Sequence, residues 1–148
     1  MHICEGSSIT AVGKFSLTDV FLLSYITYVE WEVEFTEEFE AWWDKLSVEE
    51  QGAIDAKAIL LQRVGPSLGR PSADTIRTSR HNNMKELIIQ HGGNPYRVFY
   101  AFDPCRIAIL LIGGIKKDDK KFYGTHVPIA DKLYEQHLIT IEKEKGDG

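Results

Sequence analysis

The chain has 148 residues, 43% of them apolar and 26% charged, with a formal net charge of −5. That length supports one domain with a core of its own, and the composition excludes a disordered or fibrous protein. Val20 to Val29 is the longest apolar run; it reaches about half of the roughly 20 residues a membrane helix needs and lacks the cleavage site of a secretory signal, so a reducing cytoplasm is the expected setting and no membrane partner is expected.

Residues 1–28 show no sustained period, and Gly6, Ser7, Ser8 and Gly13 argue against an ordered start. They read as an N-terminal extension, poorly ordered or non-native. "EWEVEFT", from Glu30, alternates charge with Trp31, Val33 and Phe35, the pattern of a strand with one buried face. Thr36 can cap a helix whose first turn carries Glu37 and Glu38, and Phe39, Trp42, Trp43 and Leu46 form its apolar stripe. Ser47 and Glu50 have capping-box spacing for a second helix, which Gly65-Pro66 ends. Leu68 to Asn83 has no period and reads as a loop. "MKELIIQH", "YRVFYAFD" and "RIAILLIGG" then read as three strands of an antiparallel meander, joined at Gly92-Gly93-Asn94-Pro95 and Asp103-Pro104-Cys105. "IADKLYEQHLITIEKE" closes the chain as a helix, and residues 143–148 read as a flexible tail. The expected fold class is α+β, with the helices on one face of the sheet.

Charge is segregated along this order. Residues 30–62 hold ten acidic residues against Lys45 and Lys57, a net −8, whereas residues 63–126 hold eleven bases against five acids, a net +6. Such a dipole fits an anionic partner at one face, and a phosphate backbone is the simplest. Trp42 and Trp43 could form a base-stacking platform, but their spacing with Phe39 and Leu46 favours the core. Cys4 and Cys105 have no metal or redox spacing, and no histidine stands in motif relation to Cys105, which reads as structural. His2, His81, His91, His126 and His137 never fall four apart on one helix, and no metal or cofactor is expected. Glycine-rich phosphate loops and serine-nucleophile elbows are absent too.

The remaining feature is cationic. Lys85, Arg97, Lys116, Lys117, Lys120 and Lys121 lie on or just after the meander strands, with Tyr123 directly behind. A basic concavity with a tyrosine suits binding and cutting of single-stranded RNA: cations hold phosphates and an aromatic ring stacks on a base. Cleavage without metal uses the substrate's own 2′-hydroxyl as nucleophile. It needs a proton acceptor, cations at the phosphorus, and a proton for the leaving 5′-oxygen. The same residues would also serve a surface that only binds an acidic partner.

"WEVEFTEEFEAWWDKLS", "GPSLGRPSADTIRTSRHNNMKELIIQHGG", "PYRVFYAFDPCRIAILLIGG" and "FYGTHVPIADKLYEQHL" together resemble the phage-derived branch of the RelE/HigB toxin superfamily, from about Trp31 to Leu138. The resemblance implies a RelE-like toxin domain over residues 29–142. It also implies a type II toxin that cuts messenger RNA on the translating ribosome and is restrained by a cognate antitoxin, a small DNA-binding protein. Carried over position by position, Lys85 is the candidate general base and Arg97 the phosphate contact. Lys117 stands for the leaving-group cation, and Tyr123 for the ring that orients the nucleotide. Arg70, Arg77, Arg80 and His81, with Lys116, Lys120 and Lys121, are the expected RNA or ribosome contacts. Two departures stand out: Leu87 replaces a strand lysine, and Ile88 stands where this branch carries an arginine. Both remove positive charge and leave open a second reading, a catalytically weakened homologue that binds antitoxin or nucleic acid.

Overall fold

The protein, seen in a computed structural model, is described over residues 31–118 and 120–147. The expected N-terminal extension over residues 1–28 lies outside the described residues. Strand β1 (Glu32–Phe35) leads into helix α1 (Glu37–Trp43), helix α2 (Val48–Val64) and a short 3₁₀ turn (Gly65–Ser67). Strands β2 (Ala73–Thr75), β3 (Lys85–His91), β4 (Asn94–Phe102) and β5 (Ile107–Ile115) follow, and helix α3 (Phe122–Asp147) ends the chain. The five strands form one sheet in the order β1-β5-β4-β3-β2. β1 runs parallel to β5, and every other pair is antiparallel.

Local chemistry explains the helix boundaries. Thr36 accepts a hydrogen bond from the Phe39 amide, and Ser47 and Glu50 complete a reciprocal capping box. Orphan amides at both helix starts are thereby satisfied. α2 stops where Gly65 takes a φ of +73°, with a side-chain-sized space already filled by the Trp31 indole. Between β3 and β4 the chain reverses through Gly92 and Gly93, both at positive φ, the two-residue turn whose twist suits a hairpin.

Helices cover both faces of the sheet, not one. Val33, Leu87, Ile89, Tyr96, Val98, Tyr100, Ala108 and Leu110 pack with Phe39, Trp43, Ile54 and Leu61 of α1 and α2. Phe99, Ala101, Ile107, Ile109 and Leu111 pack on the opposite side with Phe122, Val127, Ala130, Leu133 and Tyr134 of α3. Burial on two faces is why "RIAILLIGG" reads as an unbroken apolar run rather than an alternating one. Trp43 is buried, and Trp42 packs against the same core. α3 begins seven residues before the expected Ile129 and keeps Pro128 inside it. Burial of Phe122 and Val127 against the sheet outweighs the helix-breaking tendency of that proline. It also continues to Asp147, into the stretch expected as a tail. The loop expected from Leu68 to Asn83 contains the short edge strand β2. Among the described residues, no helix is long and apolar enough to cross a membrane.

One irregularity shapes the far end of the sheet. Phe99 pairs with Ile112 but Tyr100 pairs with Leu110, so β5 carries an extra residue, Leu111. A bulge of this kind inverts the side-chain alternation beyond it. Leu111 and Ile112 therefore both meet the α3 layer. After them Gly113 faces Trp42 of α1, and Gly114 faces Phe122 and His126 of α3.

Candidate active site

Arg97 sits on β4, on one rung of the sheet with Ile88 of β3 and Gly114 of β5. Its side chain faces the α3 layer. Nη1 donates to the Tyr96 carbonyl at 2.9 Å, and Nε lies 3.5 Å from Glu86 Oε1 without a hydrogen bond among the described residues. Both side chains are largely buried, at 13% exposure for Arg97 and 9% for Glu86. Tyr123, in the first turn of α3, donates its hydroxyl to the same Glu86 oxygen at 2.9 Å. Lys116, just past β5, holds its ammonium 5.2 Å from the Tyr123 ring centroid. β3, β4, the turn after β5 and α3 thus bring a carboxyl, a guanidinium, an ammonium and a phenol together at one end of the α3 face.

Burial raises the Glu86 carboxyl above its ordinary range; the Tyr123 hydrogen bond and the charges of Arg97 and Lys116 oppose the shift without cancelling it. Burial also raises the Tyr123 phenol, helped by its hydrogen bond to Glu86, so it stays a donor at neutral pH. A carboxyl whose folded pKa exceeds its unfolded value binds its proton more tightly when folded. Ionising it therefore costs stability, which falls as pH rises through that window. Glu86→Gln removes this cost. It is expected to melt above the parent at pH 7, with the difference closing as pH falls towards about 4, where an unperturbed glutamate takes up its proton. Thermal melts between those limits check this; a variant that melts below the parent at pH 7 contradicts it.

The expectation that Lys85 shares this pocket is corrected. Lys85 pairs with Tyr100 on the face covered by α1 and α2, and its ammonium donates to the Pro66 carbonyl at 2.9 Å. Adjacent strand residues point to opposite faces, so Glu86, not Lys85, stands beside Arg97. Leu87, on the Lys85 side, is fully buried under the helical hairpin. Lys117 is exposed in the turn after β5 with a left-handed φ of 43°, and its neighbour Lys116 is the lysine that meets Tyr123. Lys120 and Lys121 are exposed in the same turn.

The basic loop is partly committed to the fold. Arg80 and His81 both pair with Glu135 of α3, at 2.7 and 3.0 Å, and the Arg80 hydrogen bond is the main cause that lowers the Glu135 carboxyl. Asp131 accepts from the Ser79 hydroxyl and the Arg80 amide. These contacts clamp the loop to α3. Arg70 pairs with Asp74 at 2.7 Å, while Arg77 is exposed. Cys105, in the turn after β4, packs against the α3-side core and carries no free thiol.

Two residues on this face of the sheet, Glu86 and His126, are not singled out by the sequence. Glu86 was legible in principle, because a two-residue Gly92-Gly93 turn fixes the register and hence the rung of Arg97. His126, against Gly114, had no such signal, since its approach depends on the bulge and on α3 starting early.

The profile of the family "Phage derived protein Gp49-like" matches residues 41–135, a span that includes every residue of this cluster. The chain belongs to that family. Among curated proteins, this Gp49-like chain is 39% identical over 110 residues to "Putative toxin HigB3" of Mycobacterium tuberculosis, covering 74% of this chain and 92% of that one. It is 37% identical over 119 residues to "Putative toxin HigB2" of the same organism, covering 79% of this chain and 59% of that one. The family agrees with the resemblance carried by the quoted segments, and the Gp49-like span contains both sheet faces and most of α3.

Proposed function

We propose that this Gp49-like protein is the toxin of a type II toxin–antitoxin pair, a ribosome-dependent endoribonuclease that cleaves messenger RNA through attack by the substrate's 2′-hydroxyl. The observation that carries the reading is the joining of Arg97, Lys116 and Tyr123 around one buried carboxyl, in a chain similar to proteins named as toxins. In this mechanism the 2′-oxygen bonds to phosphorus, the bond to the 5′-oxygen breaks, and a 2′,3′-cyclic phosphate and a 5′-hydroxyl result. Arg97 and Lys116 offset the negative charge that grows on the phosphoryl oxygens. Tyr123, fixed by its hydrogen bond to Glu86, presents a half-buried ring edge and face to a nucleotide. Glu86 positions the guanidinium and the phenol. Lys85 bonds the Pro66 carbonyl on the other face of the sheet, so this reading gives the role of proton acceptor to another group. A cognate antitoxin is the proposed partner, and the cytoplasm the proposed site of action.

Primer extension on messenger RNA after induced expression tests the reading. New 5′ ends at codon boundaries, suppressed by co-expression of the protein encoded beside it, are expected. Growth arrest without new ends would leave only binding.

Binding alone is the second reading, and Ile88 favours it. Ile88 lies directly across the ladder from Arg97, where the branch usually carries an arginine. Ile88→Arg would set a second guanidinium beside the first. Cleavage is expected to rise about tenfold, less than the roughly 10²–10³-fold that a fully preorganised donor contributes, because the new side chain is not preorganised. A folded Ile88→Arg protein with unchanged cleavage would show that the missing cation costs nothing.

A further inference from the structure

His126 lies in the second turn of α3, and its Nδ1 sits 2.9 Å from the Phe122 carbonyl oxygen. A carbonyl only accepts, so Nδ1 must carry the hydrogen, and in the neutral ring the lone pair is on Nε2. That Nε2 makes no hydrogen bond among the described residues. Its location is set by an absence: a side chain at Gly114 would begin 2.8 Å from Nε2 and 2.9 Å from the Phe122 ring. The imidazole thus occupies the space left by Gly114, on the rung and face where Arg97 stands. It stacks on Phe122 with centroids 4.1 Å apart, and on Phe99 at 6.2 Å. The ring is half-buried and held by its aromatic contacts with Phe122 and Phe99.

We propose that His126 Nε2 is the proton acceptor for the 2′-hydroxyl in the reaction proposed above, an assignment that rests on the nuclease reading. The titratable and charged groups of the cluster on the same face of the sheet are Arg97 on β4, Glu86 on β3, Lys116 past β5 and Tyr123 on α3. Among them Glu86 is already engaged by the Tyr123 hydroxyl and by Arg97, and the two bases are cations that hold phosphate. Imidazole is the side chain that gains and loses a proton near neutrality. In the step, Nε2 takes the 2′-proton as the 2′-oxygen bonds to phosphorus. The P–O5′ bond breaks, the 5′-oxygen takes a proton from solvent, and the imidazolium later returns its own proton to solvent.

The test uses the full chain acting on programmed ribosomes that carry one defined message. His126→Ala is expected to lower the cleavage rate about 100-fold or more, the usual contribution of a positioned proton acceptor. Added imidazole should restore part of that rate in the alanine variant and leave the parent unchanged. His126→Phe keeps a ring against Phe122 and Gly114 but has no nitrogen; it should be as slow as alanine, and its space is too full for rescue. If phenylalanine retains parental cleavage, the role is packing and the assignment falls while the nuclease reading stands. An alanine variant as fast as the parent, or slow but deaf to imidazole, overturns the assignment in the same way. A parent that leaves the message intact overturns both.

Discussion

Arg97→Ala is expected to abolish growth arrest and to lower messenger cleavage by about 10²–10³-fold, the loss seen when one preorganised donor to a developing anion is removed. The guanidinium is largely buried, held by the Tyr96 carbonyl on one side and the Glu86 carboxylate on the other, so little reorganisation remains to be done when phosphate arrives. Removing it also strips Glu86 of its nearest cation and pushes that carboxyl further up. Part of the damage is thus structural, and Arg97→Lys separates the two. Lysine keeps the charge but loses the planar fork, so the melting temperature should recover more than the cleavage rate. Tyr123→Ala, which leaves the guanidinium in place, should also relieve arrest. Growth of cells expressing each variant, with melts of the purified proteins, decides the matter. If both alanine variants stay as toxic as the parent, the site lies elsewhere.

Much of the fold was legible in the sequence because its signals are local. The caps at Thr36 and Ser47, the stop at Gly65-Pro66 and the Gly92-Gly93 turn each satisfy backbone groups within a few residues. What escaped depends on contacts between distant segments. "ELII" offers Leu87, Ile88 and Ile89 in succession, so hydrophobicity alone assigns no face to Lys85 or Glu86. Only pairing with β4 does so, and it sends Lys85 towards α2. The extra residue in β5 hides within "IAILLIGG", yet it turns Gly114 and Lys116 towards α3 and creates the place where His126 rests. The segregation of charge is visible along the chain, but the pairing of Arg80 and His81 with Glu135 is not, because it joins the loop to a helix more than fifty residues away. The acidic helices α1 and α2 cover the face opposite Arg97 and Tyr123, which places their six acidic residues across the sheet from the proposed RNA site.

Phe99→Ala is expected to produce the largest loss of stability, and to remove activity with it. Phe99 is fully buried at the centre of the α3 face, beside the bulge. Its ring stacks on Phe122 with centroids 5.9 Å apart, meets Tyr123 edge-on at 6.1 Å and supports His126. Truncation to alanine in such a setting costs about 3–5 kcal/mol, the transfer term plus a cavity that rigid strands on either side keep from closing. For a domain of this size that corresponds to a fall in melting temperature of roughly 10–20 °C. Phe99→Leu retains most of the volume and should lose far less stability. It would still withdraw the flat surface on which His126 and Tyr123 are ordered, so its cleavage rate, measured well below its melting point, should fall more than its stability implies. Parent-like cleavage by Phe99→Leu would show that Phe99 serves the core alone. A melting temperature for Phe99→Ala within a few degrees of the parent would mean that α3 is not anchored where Phe122, Tyr123 and His126 leave the sheet, and the proposed site would lose the support that aligns it.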